Sequence, residues 1–247
     1  MHIYIITGGN IDTNFALSYM NKYKPDCIMA ADSGLNACHK IDLMPDYIYG
    51  DFDSVRTDVY AYYAEMVPER IKKFPARKDE TDTELAVKEA IKLIEEVETV
   101  LVLSEELSMP DADMQAAIDQ AKRFQRKNNI TILGGTGSRL DHVLGNIQML
   151  KIALDAGIDC QIVDEHNRIR LLNREFAMTE EEQFGEYVSF LPFTPVVEGL
   201  TLDGFEYEVE DFTLESGLAR GVSNEINAEE IYVTMKNGIL MMIESRD

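Results

Sequence analysis

The chain changes its hydrophobic pattern near Gly157, and this change limits the folds that it can adopt. Before that residue, short apolar runs alternate with segments whose apolar residues recur at helical spacing. After it, helical spacing nearly disappears, and short apolar runs recur between turn residues. Alternating strands and helices predict a parallel sheet, whereas many short strands predict a sandwich or a barrel. We therefore predict an α/β domain with a mostly parallel sheet over residues 1–157 and an all-β sandwich domain over residues 158–247.

Several of the predicted strands in the first domain end in glycine or aspartate. Gly8 and Gly9 follow the first apolar run, Asp32 follows the second, and Asp51 follows the third. Parallel sheets bind ligands at the carboxyl ends of their strands. The sequence therefore predicts that these residues lie together at a ligand site.

The segment Gly50-Asp51-Phe52-Asp53-Ser54 places two carboxylates two positions apart. On an extended chain, side chains at i and i+2 point the same way, so Asp51 and Asp53 would converge while Phe52 turns into the core. Two carboxylates at this distance repel each other and favour a cation, and Mg²⁺ binds a few carboxylates together with water and phosphate oxygens. A solvated acidic turn is the alternative interpretation.

A long helix is predicted to begin at Asp82 and to run to about Val97. Thr81 and Glu84 form a capping-box pattern before it, which gives Thr81 a structural role beside any contact with a ligand. A carboxylate at the first helical position is also favoured by the helix dipole, so Asp82 has a structural alternative as well. The apolar run Thr99–Leu103 then predicts another strand.

A glycine-rich turn follows the predicted strand Ile130–Leu133 and precedes a helix. Strand, glycine turn and helix start can form a phosphate cradle, because free N–H groups and the helix dipole point at the anion. The segment is neither a Walker A loop nor a G-x-G-x-x-G motif, since Leu140 occupies the third glycine position. A tight turn is the alternative, but the planar guanidinium of Arg139 suits phosphate. His142 either contacts the ligand or caps and packs against the helix.

The remaining segments carry weaker signals. Pro110–Asn128 has the pattern of an ordinary surface helix. Lys236-Asn237-Gly238-Ile239 predicts a β-hairpin. In the turn between two predicted strands, Ser223 and Asn224 could orient a small polar ligand or hold the turn itself.

The net charge of −22 argues against nucleic acid and against an anionic membrane surface as partners. Residues 158–247 contain 6 Lys and Arg residues against 20 Asp and Glu residues, so a phosphate site is expected in the first domain. The three cysteines form no C-x-x-C pair, which indicates a reducing compartment. No apolar run has the length of a signal or membrane segment, and we expect a cytoplasmic protein.

Taken in order, these segments resemble the thiamine pyrophosphokinase family, and the match covers nearly the whole chain. The matching segments are Gly50-Asp51-Phe52-Asp53-Ser54, Lys78-Asp79-x-Thr81-Asp82, Gly134-Gly135-x-Gly137-x-Arg139-x-Asp141-His142 and Ser223-Asn224-Glu225. Asp32-Ser33-Gly34 is similar to the early acidic turn of the family. Ser138 stands where the family usually has a glycine, and Pro110–Asn128 resembles an insertion.

The resemblance implies that the first domain binds ATP and Mg²⁺, that the second helps to bind thiamine, and that a homodimer forms its sites at the subunit interface. The implied reaction moves the terminal pyrophosphoryl group of ATP to the hydroxyethyl oxygen of thiamine, and AMP leaves. We expect Asp51, Asp53 and Asp82 to bind the metal and, with Arg139, to be catalytic. The expected ATP contacts are Gly8, Gly9, Asp32, Lys78, Thr81, Gly134, Gly135, Gly137, Arg139, Asp141 and His142. The expected thiamine contacts are Ser223 and Asn224.

Two other functions use the same residues. A Mg²⁺-dependent nucleotide pyrophosphatase would use water as the nucleophile and would release AMP without thiamine. A non-catalytic sensor of thiamine or nucleotide would bind its ligand without turnover. No sequence pattern identifies the base that removes the proton of the thiamine hydroxyl, although Asp79 or Asp141 could serve.

Overall fold

The computed structural model describes residues 1–75, 79–106, 114–115 and 128–247. It divides into two compact units, Met1–Asp159 and Cys160–Asp247. The domain boundary predicted from the sequence lies two residues earlier, after Gly157. No helix in the described ranges is both long and apolar enough to cross a membrane.

Unit 1 contains a five-stranded parallel sheet, as the alternation of strands and helices predicted. The strands are β1 (His2–Ile6), β2 (Cys27–Ala31), β3 (Tyr47–Gly50), β4 (Ile71–Lys73) and β5 (Asn129–Leu133). The strand order is β5-β1-β2-β3-β4, and each neighbouring pair is parallel. Their carboxyl ends lie at one edge of the sheet, so the residues that follow them come together there.

Four described helices lie between these strands in sequence, and a fifth follows β5. They are α1 (Thr13–Lys22), α2 (Gly34–Lys40), α3 (Thr57–Met66), α4 (Asp82–Glu106) and α5 (Leu140–Asp155). Local sequence explains where two of them begin. Asp12 caps α1, because its carboxylate accepts the N–H of Phe15 at 2.7 Å. Thr81 Oγ1 accepts the N–H of Glu84 at 3.1 Å, so the predicted cap of α4 is confirmed on the Thr81 side.

The predicted strand Thr99–Leu103 is wrong, because these residues continue α4. Thr99 Oγ1 donates to the carbonyl of Glu95 at 2.8 Å, a bond that helical backbone makes possible. Val102 and Leu103 are 59% and 42% exposed, so the apolar run does not enter the sheet. A short apolar run can be a strand or part of a helix, and periodicity alone does not separate the two. The predicted helix Pro110–Asn128 lies almost wholly outside the described residues.

Unit 2 contains two antiparallel sheets, as predicted for the second domain. The first comprises β6 (Asp159–Val163), β7 (Asn167–Leu172), β9 (Tyr187–Pro192), β12 (Asn224–Glu225) and β14 (Leu240–Ser245). The second comprises β8 (Phe176–Thr179), β10 (Val196–Asp203), β11 (Val209–Glu215) and β13 (Glu230–Thr234). The first has the order β12-β9-β14-β7-β6, and the second has the order β11-β10-β13-β8. One apolar core takes residues from both sheets, including Val188 and Phe190 from the first and Leu200 and Ile231 from the second.

The predicted hairpin at Asn237-Gly238 is wrong. The strands on either side of this turn, β13 and β14, belong to different sheets and do not pair with each other. Gly238 does have the left-handed backbone that the turn signal predicted, with φ at 98°. The turn therefore carries the chain from one sheet to the other. Asn237 forms a β-bridge with Glu198, which lies in β10, and its Nδ2 donates to Glu198 Oε2 at 3.0 Å.

Candidate active site

A cavity of about 730 Å³ in unit 1 brings together the site residues predicted for that domain. Its wall includes Gly8, Gly9, Asp32, Asp51, Asp53, Thr81, Asp82, Gly134, Gly135, Gly137, Arg139, Asp141 and His142. Lys78, the other predicted ATP contact in this domain, lies outside the described residues. The residues lie in the segments that follow β1, β2, β3 and β5 and at the starts of α4 and α5, so the parallel sheet places them at one edge.

Three carboxylates form the acidic part of the wall. Asp32, Asp51 and Asp53 each have a carboxylate oxygen that lies within 4.8 Å of the others. This acidic group differs from the predicted metal ligands, because it contains Asp32 and not Asp82. Asp82 nevertheless lines the same cavity, and its negative charge helps to raise the pKa of Asp32.

Asp51 and Asp53 converge through a turn and not along an extended strand, so the predicted local geometry is wrong. Phe52 between them has a left-handed backbone with φ at 65°. The N–H of Asp53 donates to Asp51 Oδ1 at 3.1 Å, and Ser54 Oγ donates to Asp53 Oδ1 at 2.7 Å. Phe52 is half-buried, and its ring lies 5.0 Å from that of Tyr60. The turn, stabilised by these bonds, therefore directs both carboxylates toward the cavity.

Asp32 is held in an unusual conformation at the end of β2. Its φ is 45°, in the left-handed region that few residues other than glycine adopt. Its N–H donates to the carbonyl of Tyr49 at 2.7 Å. Its buried Oδ1 has no hydrogen-bond partner among the described residues. A strained backbone and a buried polar atom without a partner are features that active sites share.

The surroundings of Asp32 favour a bound cation. Burial raises the pKa of Asp32 most, and the charges of Asp82, Asp51 and Asp53 raise it further, although a hydrogen bond from the Ser33 backbone lowers it. A positive ion beside the acidic group would reverse these effects and would give Asp32 Oδ1 a partner. Oxygen ligands in this number suit Mg²⁺, which completes its shell with water and phosphate oxygens. The residues present therefore fit the metal that the sequence predicted.

The glycine loop after β5, Gly134–Ser138, is bonded to the loop after β1. The N–H of Gly9 donates to the carbonyl of Gly134 at 2.9 Å, and the N–H of Asn10 donates to the carbonyl of Thr136 at 2.9 Å. A side chain on Gly9 could not be accommodated, because its Cβ would lie 2.0 Å from the carbonyl oxygen of Thr136. Close approach of the two loops is thus the reason for glycine at this position.

The same glycine loop leaves hydrogen-bond donors available to a ligand. Asn146 on α5 donates through Nδ2 to the carbonyl of Gly135 at 2.7 Å. The first three carbonyls of the loop are therefore engaged. The N–H groups of Gly135, Thr136 and Gly137, by contrast, make no hydrogen bond to another described residue. Donors arranged in this way suit an anion. Sequence reasoning missed Asn146, since nothing in a helical asparagine indicates which loop it will contact.

Arg139 makes two hydrogen bonds to Asp141 at the start of α5. Its Nε donates to Oδ1 at 3.2 Å and its Nη2 donates to Oδ2 at 2.5 Å. The hydrogen bonds from Arg139 lower the pKa of Asp141 to about 2. Both side chains are exposed at the cavity, as is His142. A phosphate group that binds the Arg139 fork must therefore replace the Asp141 carboxylate or share the guanidinium with it.

The two predicted thiamine contacts lie in unit 2 and differ in their surroundings. Asn224 is 3% exposed, and its amide bonds both the N–H and the carbonyl of Tyr207, at 2.9 and 2.8 Å. Its Oδ1 also accepts the N–H of Glu225 at 3.0 Å. Ser223 is exposed, and its backbone is in the left-handed region with φ at 59°. Its N–H donates to Ser189 Oγ at 3.0 Å. Asn224 therefore holds the turn, whereas the Ser223 hydroxyl makes no hydrogen bond to any residue that the structure describes.

Family comparisons agree with this arrangement. The model of the thiamin pyrophosphokinase catalytic domain matches residues 21–108 and 102–162. The model of the thiamin pyrophosphokinase vitamin B1 binding domain matches residues 174–240. The first match falls on unit 1 with the cavity, and the second falls on unit 2 with Ser223 and Asn224.

Known proteins show the same similarity. Thiamine pyrophosphokinase from Bacillus subtilis is 28% identical over 219 residues, which cover 89% of this chain and 87% of that protein. The crystal structure of the Bacillus subtilis enzyme aligns over the whole of both chains with a TM-score of 0.77 and 26% identity. Yeast thiamin pyrophosphokinase, at 17% identity and a TM-score of 0.74, shares the fold over 99% of this chain and 86% of its own. The catalytic-domain match alone spans more than half of the sequence, and the chain belongs to the thiamine pyrophosphokinase family.

Proposed function

We propose that the cavity of unit 1 binds ATP and Mg²⁺ for the reaction of this family, the transfer of a pyrophosphoryl group from ATP to the hydroxyethyl oxygen of thiamine. One observation carries the proposal. The three clustered carboxylates and the unbonded amides of the glycine loop line the same cavity, so a cation and a polyphosphate can be bound side by side.

Asp32, Asp51 and Asp53 would hold the metal ion, and Asp82 faces the same cavity from the first turn of α4. When bound, Mg²⁺ supplies charge neutralisation at the phosphate oxygens and helps to orient them. Phe52, Tyr60 and the hydrogen bonds of Asp51 and Ser54 keep the carboxylates directed at this point. The protein contributes positioning, and phosphoryl transfer depends on positioning and charge stabilisation more than on covalent catalysis.

The glycine loop and Arg139 would bind the phosphate groups. The N–H groups of Gly135, Thr136 and Gly137, which make no hydrogen bond within the described part of the chain, can donate to phosphate oxygens without any rearrangement of the loop. Arg139 adds a planar fork that binds two oxygens at once. We propose that it exchanges its Asp141 partner for phosphate when the nucleotide binds.

Asp141 and Asp79 are the two candidates for the base that takes the proton of the thiamine hydroxyl. With a pKa of about 2, Asp141 holds a proton weakly while it is paired with Arg139. It leaves this pair if Arg139 binds phosphate, so the pairing does not exclude it. Asp79 is exposed before α4 and does not line the cavity. A loss of turnover without a change in ATP binding, in Asp79→Asn or in Asp141→Asn, would identify the base.

Residues of unit 2 would contact thiamine. The match to a vitamin B1 binding domain covers Ser223 and Asn224, and the Ser223 hydroxyl is exposed. Asn224 supports the contact indirectly, because its amide fixes the backbone that follows Ser223. The acidic composition of this part of the chain also suits the cationic thiazolium ring of thiamine.

We also propose that the protein is a cytoplasmic homodimer with its sites at the subunit interface. All three cysteines are free and buried, as expected in a reducing compartment. Leu140 and Leu144 are 67% and 55% exposed on α5 beside the cavity, and an interface would cover such side chains.

A mixture of Asp51→Asn and Asn224→Asp subunits tests the shared site, since one site of the mixed dimer would carry both changes and the other site would carry neither. Recovered activity supports it, and no recovery after shown subunit exchange contradicts it.

AMP release from ATP and Mg²⁺, measured with and without thiamine, tests the function. We expect AMP and thiamine diphosphate in equal amounts, and little AMP when thiamine is omitted. Equal AMP release without thiamine would identify a nucleotide pyrophosphatase. Binding of thiamine and ATP without product would identify a sensor.

A further inference from the structure

Two buried hydroxyl groups meet in the wall of the cavity, outside every segment that carries the family resemblance. Thr7 directly follows β1, and Thr83 lies in the first turn of α4. Their Oγ1 atoms are 2.6 Å apart, and the two residues are 6% and 8% exposed. Both residues line the cavity, so the pair is buried by the protein on one side and borders the ligand space on the other.

The pair has one more hydrogen-bond donor than it uses. Each threonine hydroxyl has one proton and two acceptor lone pairs. One proton lies between the two oxygens, and either residue can supply it. The second proton has no acceptor in the part of the chain that the structure describes, since Thr7 and Thr83 make no other side-chain hydrogen bond there. Buried donors are rarely left unpaired, so a ligand atom in the cavity is the natural acceptor.

The neighbours of the pair determine which ligand atom can accept this proton. Thr7 precedes Gly8, and its own N–H donates to the carbonyl of Leu133 at 2.9 Å, just before the glycine loop. Thr83 follows Asp82. The pair therefore connects the loop side of the cavity to its acidic side. A ligand that binds both the loop amides and a metal held by the carboxylates is a polyphosphate.

The amides of Gly135, Thr136 and Gly137 are available to a ligand, but several other donors that line the cavity are engaged. The N–H groups of Gly9 and Asn10 donate to carbonyls of the glycine loop, and the Arg139 guanidinium is bound to Asp141. The second hydroxyl proton of the pair can bond a phosphate oxygen without first breaking another hydrogen bond within the described residues. Hydrogen bonds to a charged acceptor are also stronger than those between neutral groups.

We propose that the Thr7–Thr83 hydroxyl pair donates one hydrogen bond to a phosphate oxygen of the bound nucleotide, while the two hydroxyls stay bonded to each other. This inference rests on the proposed ATP site and assigns two further nucleotide-binding residues to it.

A double substitution separates this role from a structural one. Thr7→Val or Thr83→Val alone leaves the other hydroxyl buried without its partner, so each should lower the urea midpoint of unfolding. The double variant replaces both hydroxyls by apolar groups and should recover most of that midpoint. It still lacks the donor, however. A purely structural pair predicts that nucleotide binding recovers together with stability, whereas a donor predicts that it does not.

The experiment measures binding of α,β-methylene-ATP by calorimetry with Mg²⁺, since this analogue cannot release AMP. We expect the double variant to bind it about tenfold more weakly, as for the loss of one hydrogen bond to a charged group. Adenosine, which has no phosphate, should bind the parent and the double variant equally. Thr83→Ser keeps the hydroxyl and should bind the analogue as the parent does. Thr99→Val is a matched control on the same helix, because its hydroxyl bonds only the carbonyl of Glu95 within the described residues.

Parent-like affinity of the double variant for α,β-methylene-ATP would overturn the inference. An equal loss for adenosine and for the analogue would also overturn it, because the change would then lie in the shape of the cavity. If the parent makes thiamine diphosphate and the double variant gives either result, this inference alone is wrong and the proposed function stands. A parent that does not bind the analogue contradicts the ATP site itself.

Discussion

Gly50 and Asp32 approach each other so closely that a Cβ atom on Gly50 would lie 3.1 Å from the Cα atom of Asp32 and 3.2 Å from its nitrogen. Gly50 ends β3 and Asp32 directly follows the neighbouring strand β2, and the N–H of Asp32 donates to the carbonyl of Tyr49. Asp51 directly follows Gly50. The absence of a side chain at residue 50 therefore sets the distance between two carboxylates of the acidic group.

Gly50→Ala should lower turnover at least roughly tenfold, about 1.4 kcal/mol of transition-state stabilisation. The new Cβ atom meets backbone atoms that cannot move away cheaply, so Asp32 and Asp51 must shift relative to each other. The measurement is kcat as a function of Mg²⁺ concentration. Parent-like kcat in a folded Gly50→Ala protein would show that the spacing does not matter.

Asp51→Asn, Asp53→Asn, Asp82→Asn and Asp32→Asn should each remove most of the turnover in proteins that remain folded. Loss of one metal carboxylate should cost several kcal/mol of transition-state stabilisation. Steady-state assays at saturating Mg²⁺ measure the effect, and Glu65→Gln on the exposed side of α3 is the matched control. If the Asp51, Asp53 and Asp82 variants all keep near-parental turnover, the assignment of the metal ligands is wrong.

Asp32→Asn should also stabilise the metal-free protein. It removes a charge that is partly buried, lies among other carboxylates and has an oxygen without a described partner. The urea midpoint in the presence of EDTA should therefore rise while activity falls. An unchanged or lower midpoint would mean that the Asp32 carboxylate does not destabilise the folded, metal-free protein.

Arg139→Lys should be damaging although it keeps the charge. An ammonium group cannot reproduce the planar fork that binds two phosphate oxygens, so turnover should fall at least roughly tenfold. Arg56→Lys is the matched control, because Arg56 makes the same pair of bonds to the residue two positions on, Asp58, outside the cavity. Full activity of Arg139→Lys in initial-rate assays would show that Arg139 is a surface residue without a bidentate contact to phosphate.

Ser223→Ala and Asn224→Asp should act in different ways. Loss of the Ser223 hydroxyl should raise the thiamine KM several-fold, as for a lost hydrogen bond of about 0.5–1.5 kcal/mol, and should leave the unfolding midpoint and ATP binding unchanged. Asn224→Asp replaces the group that donates to the carbonyl of Tyr207, so it should destabilise the fold by about 1–3 kcal/mol. Thiamine titrations and urea unfolding of both variants separate the two effects. A Ser223→Ala protein with parental KM would exclude this contact.

Much of the fold could be predicted from the sequence, because the evidence for it is local. The apolar runs at residues 2–7 and 130–133 are buried strands of the parallel sheet, and such strands are apolar throughout. Thr81 caps α4 because its partner Glu84 is only three positions away. The strand ends that carry Gly8, Asp32 and Asp51 could likewise be read from the order of elements, since a parallel sheet places them at one edge.

Tertiary structure decided the features that depend on partners far along the chain. Thr99–Leu103 is helical because it extends α4, and Asn237-Gly238 joins two sheets because β13 and β14 pair with other strands. Asp32 enters the acidic group through the approach of β2 to β3, and Thr7 meets Thr83 across 76 positions. Sequence patterns record the preference of each segment for helix or strand. They do not record which side chains the packing of those segments brings into contact, because that depends on distances between elements that no local pattern contains.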